Sequence, residues 1–239
     1  MSTLLELRGV SKSIGGLLIL NKLSFKLEQG EALGVLGPNG AGKTTMLNLI
    51  SGDLPPSSGQ IFFNGQDITA IPAHKRCQSG IGRTYQIPRP FTGMTVYENV
   101  LVGAIHSRRR SERESQALCR EILELTGLYN RRDTVAGTLR LLERKRLELA
   151  RALATQPKLI LLDEIGGGLT EYEVHELLAV IRDIRARGLT LIWIEHIVHA
   201  LASGVDRILA INFGTKLAEG QPQEILASKA FQEIYIGID

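Results

Sequence analysis

The chain has 239 residues, 44% of them hydrophobic, and a formal net charge of only +3. That is enough apolar material for the core of one large domain, or of one domain with a sub-domain. So small a charge points neither to nucleic acid nor to a polybasic membrane anchor. Cys77 and Cys119 are far apart and fit no metal spacing, so a reduced cytosolic protein is expected. No apolar run approaches the roughly 18 residues of a transmembrane helix, and the N-terminus lacks the basic-then-apolar pattern of a secretory signal.

Residues 4–27 read as strands around a turn at Gly15-Gly16, with Leu23, Phe25 and Leu27 alternating. Ala32–Leu36 is a short apolar run typical of a buried strand. It leads into Gly37-Pro38-Asn39-Gly40-Ala41-Gly42-Lys43-Thr44-Thr45, which fits the phosphate-loop pattern G-x-x-x-x-G-K-[ST]. Triphosphate oxygens need backbone N–H groups brought close, and glycine lets the loop bend without a Cβ in the way. The helix that follows, with Met46, Leu47, Leu49 and Ile50 ahead of a stop at Gly52, points its positive end at the phosphates. Lys43 is placed to reach the β- and γ-phosphates, and the Thr44 hydroxyl to hold Mg²⁺. A glycine-rich turn matching by accident would lack the strand before and the helix after. A further strand, Gln60–Phe63, ends at the turn Asn64-Gly65, and is expected to build a small antiparallel sheet beside the loop.

From about 87 to 155 the pattern is mainly helical. Ser111–Glu114 reads as a capping-box start, Leu118, Ile122 and Leu125 share a face, and Gly127 follows as a stop. Arg108-Arg109-Arg110 reads as a solvated charge run. Leu139–Ala154 is a second helical stretch, ended by Pro157. The alternation of strand and helix then returns: Leu159–Leu162 as a buried strand, a helix face at Val174, Leu177, Leu178, Ile181 and Ile184, and strands at Leu189–Ile194 and Ile208–Ile211. The fold expected is α/β, a phosphate-loop NTPase core with a parallel sheet, a small antiparallel β sub-domain and an inserted helical sub-domain.

Three further positions bear on chemistry. Asp163-Glu164 ends an apolar strand, where one acid can hold Mg²⁺ and the next can deprotonate an attacking water. His196 ends another strand, on the rim where open α/β sheets bind ligands, and could contact a γ-phosphate, although by spacing alone a structural histidine reads equally well. Gln86, after Arg83-Thr84-Tyr85, has an amide suited to Mg²⁺ or water, although by itself a surface glutamine is the better reading.

Together the phosphate loop, the Gln86 loop, Leu161–Glu164 and Glu195-His196 resemble, in order and spacing, the ATPase subunit of an ABC transporter, over essentially the whole chain. Arg83–Phe91, Thr95–Asn99 and Tyr235-Ile236-Gly237 are most similar to the branched-chain amino acid and urea uptake branch. The resemblance implies one ABC-type domain over 1–239, with a nucleotide-binding core at 1–86 and 156–239 and a helical sub-domain at 87–155. It implies ATP as substrate with Mg²⁺, Glu164 as general base, and Gln86 linking nucleotide to the helical sub-domain and to membrane permease subunits. It also implies a place on the cytoplasmic face of the cell membrane, a periplasmic solute-binding protein acting indirectly, and a second ATP-binding subunit. Such ATPases sandwich ATP between one chain's phosphate loop and the other's signature helix.

The sequence departs from that family at several points. The signature, usually Leu-Ser-Gly-Gly-Gln, reads Leu139-Arg140-Leu141-Leu142-Glu143, with Arg140 for the serine and Leu142 for a glycine. Ile165 replaces a proline, Gly166–Thr170 lacks the usual Asp or Asn, and Ile14 stands where an aromatic residue stacks on adenine. These changes predict weak activity alone and favour a heterodimer over a homodimer. A regulatory subunit with little hydrolysis and a soluble ABC ATPase are the competing readings; long insertions or a basic face, which would mark the latter, are not evident.

Overall fold

A computed structural model describes residues 2–107 and 112–235. The elements in chain order are β1 (Thr3–Ile14), β2 (Leu17–Glu28), β3 (Ala32–Leu36), α1 (Lys43–Ser51), β4 (Ser58–Phe63), β5 (Gln66–Asp67), α2 (Ala73–Ser79) and β6 (Ile81–Arg83). They continue with α3 (Val96–Ser107), α4 (Glu112–Leu125), α5 (Leu141–Ala154), β7 (Leu159–Asp163), α6 (Glu171–Ala186), β8 (Thr190–Ile194), α7 (Val198–Gly204), β9 (Arg207–Asn212), β10 (Thr215–Gly220), α8 (Pro222–Ala227) and α9 (Lys229–Tyr235). The chain divides into two compact units, one made of the residues up to Arg76 together with those from Thr190 on, the other running from Cys77 to Leu189.

The first unit holds two sheets. In the antiparallel one the strand order is β2-β1-β4-β5. Its hairpins turn where the sequence places them: Gly15 and Gly16 have φ of 57° and 83°, and Asn64 and Gly65 have φ of 51° and 76°, the left-handed pair a two-residue turn requires. Leu23, Phe25 and Leu27 of β2 are buried while Lys22, Ser24 and Lys26 between them are exposed, the period of a sheet covered on one face. In the other sheet β3 lies between β8 and β9, parallel to both, and β10 pairs antiparallel with β9. Every residue of β3 and β8 is buried, as expected of parallel strands covered on both faces.

The second unit pairs β6 with β7 in parallel and packs α3, α4, α5 and α6 with them. Both units are α/β, in agreement with the expected class. Within 87–155 the helices are shorter than the sequence reading. Residues 87–95 are not helical, and α5 begins at Leu141 because Leu139 and Arg140 are extended, after a separate 3₁₀ turn at Ala136–Thr138. On α4 the buried line is Ser115, Cys119, Ile122 and Leu123, and Leu118 and Leu125 are only half-buried. The expected capping box at Ser111, the run Arg108–Arg110 and the terminal Ile236-Gly237 lie outside the described residues.

Candidate nucleotide site

In the first unit the phosphate loop links the end of β3 to α1. Two glycines are required by space. A Cβ at Gly37 would lie 2.3 Å from the carbonyl oxygen of Ile211, and one at Gly42 would lie 2.7 Å from a methyl of Leu20, where φ is also 97°. The loop is braced from behind, since the Gly214 amide donates to Ala41 O at 3.1 Å and the Asn21 amide donates to Gly214 O at 2.9 Å. Lys43 is buried, and its ammonium folds back over the loop to donate to Gly37 O at 2.7 Å and Pro38 O at 3.1 Å. Thr44 is exposed and Thr45 half-buried at the first turn of α1, which no side chain caps at Gly42. His196 reaches the same rim. Val35 of β3 pairs with Ile194 of β8, so Gly37 and His196 each stand two residues beyond a matched pair. The His196 amide donates to the carboxylate of the buried Glu195 at 3.1 Å. Ile14 is 49% exposed at the tip of the β1–β2 hairpin.

In the second unit Asp163, Glu164 and Gln86 come together. The parallel register Arg83↔Leu161 carries both chains to one end. Asp163 is 2% exposed and pairs with Arg83 at 3.2 Å. Its amide donates to the Thr84 hydroxyl at 3.3 Å. Glu164 has φ 47°, the left-handed region that a side-chain-bearing residue rarely occupies. The Gln86 amide donates to the Glu164 carboxylate at 2.5 Å, and the Lys145 ammonium donates to Gln86 O at 3.3 Å and Glu164 O at 3.2 Å. Sequence reasoning missed Arg83, Thr84 and Lys145 as members of this cluster. Arg83 and Thr84 stood beside Gln86 in a quoted run, but nothing in a basic helical stretch singled out Lys145.

The run Leu139–Glu143 leads into α5. Arg140 precedes α5 as its N-cap, but arginine has no acceptor, so only half of a capping box forms: the Arg140 amide donates to Glu143 at 3.0 Å. Leu142 is buried, whereas Leu141 is 42% exposed, so Arg140 and Leu141 are what this turn presents. After β7, Ile165 is buried, and Thr170 takes up the N-cap of α6 with its hydroxyl.

A glycine loop closing on a buried lysine at the end of a parallel strand, on an α/β chain that also carries an acidic pair at a strand end, defines a phosphate-loop ATPase. The family profile described as ABC transporter matches residues 20–166. The chain is 36% identical to the high-affinity branched-chain amino acid transport ATP-binding protein BraF of Pseudomonas aeruginosa, over 98% of each chain. It is 37% identical to the lipopolysaccharide export system ATP-binding protein LptB of Acidithiobacillus ferridurans, over 99% of this chain and 98% of that one. Among solved structures, the ADP conformation of an ATP-binding cassette of an ABC transporter superposes with a TM-score of 0.88 at 30% identity, covering 100% of both chains. The chain belongs to the ABC transporter family.

Proposed function

We propose that this chain is the ATP-hydrolysing subunit of an importer for branched-chain amino acids or a related small polar solute such as urea. It works peripherally at the cytoplasmic face of the cell membrane with permease subunits, a second ATP-binding subunit and, indirectly, a periplasmic solute-binding protein. No helix among the described residues is long and apolar enough to cross a membrane, which fits a subunit held there by others. The reading takes 1–239 as one domain, with its core at 1–86 and 156–239 and its helical part at 87–155. The observation that carries it is the joint presence of an intact phosphate loop and the Asp163–Glu164–Gln86 cluster, on a chain that matches BraF from end to end.

Each residue's role follows from its chemistry. Backbone amides of Gly37–Thr45 and the Lys43 ammonium bind the phosphates, and Lys43 is already held at the loop by two carbonyls. The Thr44 hydroxyl, the Asp163 carboxylate and the Gln86 amide oxygen are hard donors of the kind Mg²⁺ takes. Held by such donors, Mg²⁺ would supply positive charge to offset that of the phosphates. Glu164 accepts the proton of the attacking water, with its carboxylate oriented by the Gln86 amide. His196 contacts the γ-phosphate from the rim it shares with Gly37.

The equal likeness to LptB, whose name gives an export system, supports a second reading in which the same ATPase drives an exporter. Purification of the full chain in mild detergent, followed by reconstitution of whatever membrane chains accompany it, tests both. ATPase activity stimulated by a branched-chain amino acid or urea through a solute-binding protein is expected. Stimulation by lipopolysaccharide instead would favour the exporter, and recovery with soluble chains alone would overturn both transporter readings.

A further inference from the structure

We infer that Lys145 is a positioning residue for hydrolysis, clamping the main chain of Glu164 and Gln86 so that the carboxylate stands where a base is needed. The inference deepens the reading of Glu164 as base, on which it rests. Its observation is a juxtaposition: one buried ammonium donates to the carbonyls of two residues far apart in sequence, Gln86 and Glu164, whose side chains are bonded to each other.

Packing does not account for a lysine here. Taking an ammonium out of water costs several kcal/mol, and methionine would fill the same space without that penalty. Backbone strain supplies the reason. Glu164 holds φ 47° with a full side chain, a conformation that persists only where the surroundings over-determine it. Lys145 and the Gly167 amide donate to its carbonyl, the latter at 3.2 Å, and the Gln86 amide donates to its carboxylate. Lys145 is the member that also grips the Gln86 main chain, so it sets the separation of the two side chains. It stands on α5, the helix that begins with the altered signature, and so ties this chain's own base to the element that the family resemblance assigns to a partner's nucleotide. Because its bonds go to the main-chain carbonyls of the Glu164–Gln86 pair, Lys145 is expected to govern the chemical step.

The experiment is steady-state ATPase kinetics of the full chain with Mg²⁺ and ATP, with melting temperatures measured on the same preparations. Lys145→Met is expected to lower kcat by about tenfold or more while KM for ATP stays within about twofold. Lys145→Arg, which keeps charged donors, is expected to recover most of that loss at a melting temperature like that of Lys145→Met. Parental kcat in Lys145→Met would overturn the inference. So would a loss of kcat, KM and melting temperature together that Lys145→Arg does not relieve, because that is the pattern of a residue needed only for folding. Glu164→Gln, assayed alongside, keeps the two readings apart. If it turns over at the parental rate, Glu164 is not the base and both readings fall. If it is inactive while Lys145→Met is not, only the positioning role falls.

Discussion

Phe213 shows at the scale of a residue what the fold requires beside the nucleotide loop. With Gly214 it forms the turn between β9 and β10, at φ 43°, and it is 87% exposed. A bulky side chain gains nothing from that exposure and strains the backbone, whereas asparagine accepts the left-handed conformation readily. Phe213→Asn is therefore expected to stabilise the chain by about 0.5–1 kcal/mol, read as a higher urea midpoint at unchanged slope. A lower midpoint would mean that the aromatic ring makes a contact worth more than the strain. The residues legible from sequence were of the opposite kind, with their meaning carried by near neighbours. Gly37, Gly42 and Lys43 form one contiguous motif, and the structure needs the two glycines at those places for reasons of space. Arg83 and Lys145 carry no such local mark. The partner of Arg83, Asp163, is 80 residues away, and only the parallel register of β6 and β7 brings them together.

At the scale of an element, α1 is fixed at both ends by different means. Its N-terminus is shaped by the loop glycines, and its C-terminus is held by Arg76 of α2. That guanidinium is 1% exposed and donates to Leu49 O at 2.6 Å and Ile50 O at 3.0 Å, both in the last turn of α1, and to Thr69 O and Ile71 O. A cation there also complements the negative end of the helix, even though burial pushes the Arg76 pKa down. Arg76→Met strands buried carbonyls and is expected to destabilise the chain by at least about 3 kcal/mol in urea unfolding. A loss below about 1 kcal/mol would show that water satisfies them. The stop of α1 at Gly52 was readable because a C-cap glycine is a local signal, whereas its clamp by a residue of another helix was not. Thr170 makes the same contrast. The sequence shows only a missing Asp or Asn, yet the Thr170 hydroxyl accepts from the Glu173 amide at 3.3 Å and the Glu173 carboxylate accepts from the Thr170 amide at 2.9 Å, a complete capping box. Thr170→Ala is expected to cost about 1 kcal/mol. The two Thr170 donors hold the Glu173 carboxyl below its ordinary value of 4.5. A lowered folded-state pKa gives stability that is complete above the unfolded value and lost as pH falls through the folded one. The part of the difference between parent and Thr170→Ala that comes from the hydroxyl donating to the Glu173 carboxylate should therefore be lost below pH 4.5, and a difference that stays constant to pH 3 would assign all of it to the cap bond from the Glu173 amide.

At the scale of the whole molecule the question is what two copies of this chain would do together. Under the proposed function, the loop, Asp163, Glu164 and His196 would serve the chain's own nucleotide, and the first turn of α5 would serve the partner's. That turn is well built. Glu143 accepts from the Arg140 amide and pairs with Arg131 at 3.1 Å, and Arg144 donates to Leu139 O at 2.8 Å and Gly137 O at 3.0 Å. What it presents is nevertheless a long guanidinium and an exposed Leu141, in place of a short hydroxyl and a bare backbone. Arginine can attract a γ-phosphate but cannot reproduce a hydroxyl bond close to the helix end, and Leu141 adds bulk where backbone must approach phosphate. A homodimer would carry that defect at both sites, so the purified chain is expected to hydrolyse ATP slowly. A heterodimer with a subunit of ordinary signature would keep one strong site, on this chain's phosphate loop. Arg140→Ser with Leu141→Gly tests this without touching the buried Leu142. Glycine in the first turn costs up to about 1 kcal/mol, and a serine N-cap returns about as much, so the repaired helix should be no less stable. Turnover of the repaired chain alone should rise by about tenfold or more, the equivalent of some 1.4 kcal/mol at the transition state, at protein concentrations that allow pairing. Fast turnover by the parent chain, unchanged on repair, would show that Arg140 and Leu141 complete a partner's site as they stand.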